Sequence, residues 1–193
     1  MTTSYCAHVR THPEDGLHRA YHDTQYGFPL TDDAALFGRL VLEINQAGLS
    51  WTTILKKQAA FHRAYGDFDP ARVAAYGEAD RARLLADAGI IRNRLKVDAA
   101  IENARRILAL RAEFGNFRGW LEAQHPLGLG DWTKRFKKTF VFTGGEIVKE
   151  FLLSTGYLPG AHDADCPVHG EILALGPAWA QRSRRTTSTS ESG

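Results

Sequence analysis

No stretch of about 18 consecutive apolar residues occurs, which excludes a membrane-spanning helix. Cysteine is scarce: two in 193 residues are too few for a disulfide scaffold. Segments of alternating apolar and polar residues are missing, so no β-sheet is expected. Neither sign of charge dominates, with 24 Lys and Arg against 22 Asp and Glu, so net charge alone does not argue for a nucleic-acid partner. Internal repeats are absent. The opening residues, MTTSYCAHVRTHPEDG, hold no apolar signal core, which predicts a cytoplasmic protein with reduced thiols. The stretch QRSRRTTSTSESG at the other end is polar and apolar-poor, which predicts a single domain over 1–182 and a disordered tail over 183–193.

Helical periodicity is abundant. Leu36, Phe37, Leu40, Val41 and Ile44 share one face of a helix expected over 32–47, capped by Thr31 and stopped by Gly48. Ser50 caps the next helix. Asp69-Pro70 is a cap followed by proline at the first helical position, opening a short helix to Tyr76. GEADRARLLADAG gives a helix ended by Gly89. A long helix follows from Arg94 to Phe114, with Val97, Ala100, Ile101, Ala104, Ile107, Leu108 and Leu110 inward. FRGWLEAQ and GGEIVKEFLLSTG supply two more. The fold class is therefore all-α, a compact helical bundle.

Three stretches carry possible chemistry. In VLEINQAGLSW, Glu43 flanks the apolar stripe, where a carboxylate loses water and needs a partner or a task. Tyr21, Tyr26 and Trp51 lie near it in sequence, a set suited to a flat polar or cationic ring; a buried arginine beside Glu43 with Trp51 as plain core is the alternative. LLADAGIIRNRLKVDAAIENA reads as helix, tight turn and helix. Gly89 would let backbone approach a phosphate, and Arg92, Arg94 and Lys96 would add charge. Ordinary α-hairpins share this pattern, and the basic clusters RNRLK, ARR and KRFKK also suit solvated helix faces. Last, His162 and Cys166 are four residues apart, and Cys6 with His22 would complete a Cys2His2 zinc site. A Cys6–Cys166 disulfide, unrelated buried thiols, or a different pair made by His18 and His22 remain open on spacing alone.

Taken in order, AYHDTQYGFP, LFGRLVLEINQAGLSWTTILKK, DAGIIRNRLKV, FTGGEIVKEF and GAHDADC strongly resemble the 3-methyladenine DNA glycosylase I family over about residues 5–168. The resemblance implies a helix-hairpin-helix base-excision glycosylase with a structural zinc ion joining its two ends. It implies Cys6, His22, His162 and Cys166 as zinc ligands. It implies Glu43 as the group that hydrogen-bonds the damaged base, Tyr21 and Trp51 as its aromatic neighbours, and Gly48 and Leu49 as the turn entering DNA beside the flipped nucleotide. His8, His18 and Tyr26 stand where the family carries other aromatics, and Glu146 is an addition; these changes are expected to line or approach the pocket.

The implied chemistry suits the residues. N3-methyladenine carries positive charge and departs as a neutral base, so its glycosidic bond is already weak. Flipping and holding the nucleotide is then the main task. No aspartate occupies the position after the hairpin that the wider superfamily uses, and no lysine stands out as a Schiff-base nucleophile. A monofunctional glycosylase acting as a monomer on alkylated double-stranded DNA is expected.

Overall fold

A computed structural model describes residues 4–181; the expected tail over 183–193 lies outside them. Eleven α-helices and two short 3-10 turns make up the regular structure among the described residues, with no strand. They are α1 (Tyr5–Thr11), α2 (Gly16–Thr24), α3 (Asp33–Gln46), α4 (Trp51–Ala64), α5 (Pro70–Ala74), α6 (Glu78–Ala86), α7 (Arg94–Phe114), α8 (Phe117–Gln124), α9 (Leu129–Thr139), α10 (Gly145–Ser154) and α11 (Pro167–Ala174). Side-chain oxygens begin most of them: Ser4, Asp15, Asp32, Ser50, Asp69, Asn93 and Asn116 each accept a first-turn N–H.

The centre is α3. Every residue from Leu36 to Asn45 is buried, because α4, α7, α8 and α10 all pack around it. Within it, Gly38 is dictated by packing: a Cβ there would sit 2.6 Å from the Phe68 ring. A second aromatic nucleus, Phe117, Trp120, Trp132, Phe136, Phe140 and Phe151, joins α8, α9 and α10 beneath α3. Each such ring contributes about 1.5–3 kcal/mol by leaving water.

Some boundaries differ from expectation. Asp32, not Thr31, caps α3, since its carboxylate reaches the Ala35 N–H at 2.9 Å. The helix after Pro70 stops at Ala74, and α6 stops at Ala86 before the turn begins. Leu108 and Leu110 are only half-buried. Helices α1, α2, α9 and α11 were not separately visible in the sequence.

Candidate active site and metal centre

Glu43 lies in the last buried turn of α3, where it meets α10 and the aromatic residues of α1 and α2. Together with Tyr5, Tyr21, Tyr26, Gln46, Trp51 and Glu150 it lines a cavity of about 300 Å³. The ring centroids of Tyr21 and Trp51 are 5.1 Å apart, and those of Tyr5 and Tyr26 5.3 Å. Space of this size with aromatic walls accepts a single flat heterocycle. A larger cleft of about 840 Å³ opens between Pro29, Arg118, His125 and Tyr157, but it has no such aromatic walls around a buried carboxylate.

Burial pushes the Glu43 carboxyl up to about 8; Glu150 adds to the rise, while Arg39 opposes it. Ser154 Oγ lies 3.4 Å from Glu43 Oε1 as a donor. Arg39, one turn earlier on α3, is buried; its Nη1 donates to the Tyr21 hydroxyl and to the Ser154 carbonyl, both at 3.1 Å. That guanidinium therefore fixes Tyr21 and the end of α10 around the cavity. Trp51 Nε1 is buried without a hydrogen-bond partner. A buried N–H of this kind costs about 1–3 kcal/mol until something accepts from it.

Cys6, His22, His162 and Cys166 converge from α1, α2, the loop before α11 and the start of α11, all buried. Sulfur-to-nitrogen distances are 3.2 Å (Cys6 to His22 Nε2), 3.5 Å (Cys6 to His162 Nδ1) and 3.8 Å from Cys166 to each histidine. With metal–sulfur bonds near 2.3 Å and metal–nitrogen bonds near 2.05 Å, a tetrahedral ion requires such edges to be about 3.5 Å. The remaining ring nitrogens are oriented as metal ligands require: His22 Nδ1 meets Asp23 at 2.6 Å, and His162 Nε2 meets the Tyr26 carbonyl at 2.7 Å. The thiols are not bridged. Burial holds the Cys6 thiol up at about 11, so a thiolate there requires a positive partner. The four groups could hold a metal ion.

Gly48 sits at φ +80° in the turn between α3 and α4, a conformation that favours glycine, and leaves Leu49 39% exposed. Arg92 in the turn between α6 and α7 and Arg94 at the start of α7 are exposed and make no ion pair among the described residues. Lys96 differs from the expectation of a phosphate-facing charge. It is 5% exposed, and its ammonium donates to the carbonyls of Asn45 (2.9 Å) and Ala47 (2.7 Å), capping the C-terminus of α3. The close approach made at Gly89 is to α4: an added Cβ would lie 3.0 Å from Ala60 Cβ, and the Gly89 N–H is donated to Asp87 at 2.7 Å.

Residues 11–127 match the profile of the methyladenine glycosylase family. DNA-3-methyladenine glycosylase from Haemophilus influenzae is 33% identical over an alignment 173 positions long that covers 80% of this chain and 93% of that protein. The chain belongs to the methyladenine glycosylase family. A shorter match, 50% identical over 62 residues, links it to DNA-3-methyladenine glycosylase 1 of Escherichia coli K12; it covers 32% of this chain and 33% of that protein. A solved structure of 3-methyladenine DNA glycosylase I from Staphylococcus aureus superposes with a TM-score of 0.73 at 33% identity, covering 80% of this chain and 92% of that one.

The positions expected to differ from the methyladenine glycosylase pattern fall unevenly. Tyr26 lines the cavity. His18 is buried one layer back, with Nδ1 2.8 Å from the Tyr5 hydroxyl and Nε2 2.8 Å from Thr52 Oγ1. His8 stacks between Tyr5 and His12 and does not line the cavity. Glu146 does not approach it either: its side chain is 88% exposed beside Lys149. The carboxylate that does face the cavity from α10 is Glu150, one helical turn later. Tyr5 and Glu150 were missed in the sequence, and Arg39 is the buried arginine that the alternative reading of Glu43 left without a number. Both charged residues left a trace there: Arg39 lies four residues before Glu43 and Glu150 four before Ser154, each pair on one helix face.

Proposed function

We propose that this chain is a DNA repair glycosylase that hydrolyses the N-glycosidic bond of 3-methyladenine in alkylated double-stranded DNA, acting as a monomer and as one domain over 1–182. The observation that carries the proposal is the buried Glu43 in an aromatic cavity large enough for one base. Leu49, presented by Gly48, fills the gap left in the duplex and offsets a flipping cost of about a few kcal/mol. The helix-hairpin-helix made by α6 and α7 holds the DNA backbone through Arg92 and Arg94 and reads no sequence. Trp51 and Tyr21 flank the flipped ring, with a cation–π contribution of about 0.5–2 kcal/mol. Glu43 accepts the exocyclic amine and stabilises the ring's positive charge.

Water attacks C1′ while the bond from C1′ to the base breaks. The bonding pair moves into the ring and cancels its charge, the water proton goes to solvent, and an abasic site remains. Among the described residues no lysine lines the cavity, so the reaction proposed forms no covalent enzyme–DNA intermediate and leaves the strand uncut.

Zinc is the ion proposed for Cys6, His22, His162 and Cys166, because two thiolates and two imidazoles within tetrahedral edge distances suit it. It would supply structure only, tying α1 and α2 to α11. The test of the proposed activity is incubation of the full chain with methylated duplex DNA. Free 3-methyladenine with no borohydride-trapped complex is expected. Tight binding without base release would instead make the chain a non-catalytic binder of damaged DNA.

A further inference from the structure

A second set of metal-ligating side chains is separate from the Cys6 cluster. His8 on α1, Asp15 at the cap of α2 and His18 in the first turn of α2 each offer one donor atom, and the three atoms lie within 4.8 Å of one another. The His8 and His18 rings meet edge to face with centroids 5.2 Å apart. These are two of the positions expected to differ from the family pattern, and the fold brings them together. Their donor capacity is largely unspent. Thr11 and His12 donate to the His8 carbonyl, while the His8 ring nitrogens meet no hydrogen-bond partner among the described residues. One Asp15 oxygen accepts the His18 N–H at 3.1 Å and leaves the other available. His18 is buried, with Nε2 2.8 Å from Thr52 Oγ1 on α4 and Nδ1 2.8 Å from the Tyr5 hydroxyl. Donation from Nε2 to Thr52 is the outer contact that a ligating imidazole requires, and it leaves the lone pair on Nδ1. The Tyr5 hydroxyl also lies 3.3 Å from the His18 carbonyl, so it keeps an acceptor when an ion takes Nδ1.

We propose that His8, Asp15 and His18 form a second metal site, which takes a divalent transition ion such as zinc or cobalt. Two imidazoles and a carboxylate without sulfur suit such an ion, and three protein ligands leave a position for water, so the ion is exchangeable. Two donors at about 2.0–2.2 Å from one ion stand no more than about 4.4 Å apart, so a small turn of the half-buried His8 ring is enough to close the set. The charges already suit a cation. The His18 N–H, and then the imidazoles of His18 and His8, hold the Asp15 carboxyl below its usual range. Burial, with His8 beside it, lowers His18 against the pull of Asp15. An ionised carboxylate and a neutral imidazole are the forms that bind metal. The ion would fasten α1 to α2 beside Tyr5, a wall of the Glu43 cavity, and does so whatever that cavity binds.

The probe is cobalt(II), added to the full chain after purification with zinc and dialysis, and followed by equilibrium dialysis and absorption. The wild type should take up one cobalt(II) that shows d–d bands and no sulfur-to-cobalt charge transfer, which separates it from an ion on Cys6 and Cys166. His8→Phe should weaken this uptake by about tenfold or more, as should Asp15→Ser, which keeps an oxygen to cap α2. His12→Ala, beside His8 but outside the set, should leave it within about twofold. Cobalt(II) should also raise Tm in the wild type and not in His8→Phe. No uptake, uptake marked by sulfur charge transfer alone, or uptake that survives both His8→Phe and Asp15→Ser would overturn the site. So would a loss in His12→Ala equal to that in His8→Phe, because the ion would then sit on a surface histidine pair.

Discussion

Replacing Lys96 by methionine separates two readings of a basic residue in the hairpin. In the structure its ammonium accounts for the last carbonyls of α3, at Asn45 and Ala47. A hydrogen bond to a charged group contributes about 1.5–3 kcal/mol, and a cation at a helix C-terminus about 0.3–1 kcal/mol more. Burial opposes this by holding the Lys96 ammonium pKa below its usual range, so part of the gain is spent on desolvation. Methionine preserves the packing of the stem but leaves two carbonyls without their donor. A net loss of about 3 kcal/mol is expected, or roughly 6–12 °C in Tm for a chain of this size. Urea unfolding followed by circular dichroism measures it. The same variant should leave the salt dependence of binding to undamaged duplex DNA unchanged, whereas Arg92→Ala should reduce the slope of log K against log salt by about 0.9. A stability loss below about 0.5 kcal/mol together with a reduced slope in Lys96→Met would refute the reasoning, because the lysine would then be facing phosphate.

Other consequences are equally specific. Glu43 binds a proton in the folded chain up to about 8 but in the unfolded chain only up to about 4.5. Folding therefore takes up a proton between those values, and the stability this group contributes falls as pH rises from about 4.5 to about 8. Glu43→Gln removes that dependence, so the variant should gain stability over the wild type on going from pH 5 to pH 8, by an amount on the order of a few kcal/mol, read from urea midpoints. Cys166→Ser should lower bound zinc from about one equivalent to almost none and depress Tm, with a chelator acting the same way on the wild type. Gly38→Ala drives a methyl group into the Phe68 ring and should cost about 1–3 kcal/mol in thermal unfolding.

Much of the architecture is legible in the chain because local rules and tertiary demands agree. The stripe Leu36, Phe37, Leu40, Val41, Ile44 describes a helix whatever surrounds it, and Ser50, Asp69 and Asn93 mark helix starts by the oxygen each carries. Thr31 was expected to cap α3, but its neighbour Asp32 carries an oxygen as suitable and backbone geometry gives it the position. Helix α9 was hidden by its own charges: KRFKK reads as a basic surface, while Trp132, Phe136 and Phe140 on the opposite face are fully buried. Lys96 was misread for the same reason, since a lysine among arginines looks solvated until the end of α3 is placed above it. Glu150 and Glu146 differ by one turn, and which of them faces the cavity depends on how α10 docks against α3. The metal cluster was half legible. His162 and Cys166 announce themselves by spacing, and Cys6 and His22 complete the donor set as one of several pairings that spacing leaves open, a choice that the fold makes by closing α1 and α2 onto α11.

The most direct test of the whole account is the rate at which free 3-methyladenine leaves methylated duplex DNA, compared between the wild-type chain and Glu43→Gln under single-turnover conditions. Glutamine keeps the shape and loses the charge, so the account predicts brisk release by the wild type and a fall of about 10²-fold or more in the variant, with duplex binding retained. Equal rates from the two proteins would contradict the role assigned to Glu43, and no release from either would contradict the activity.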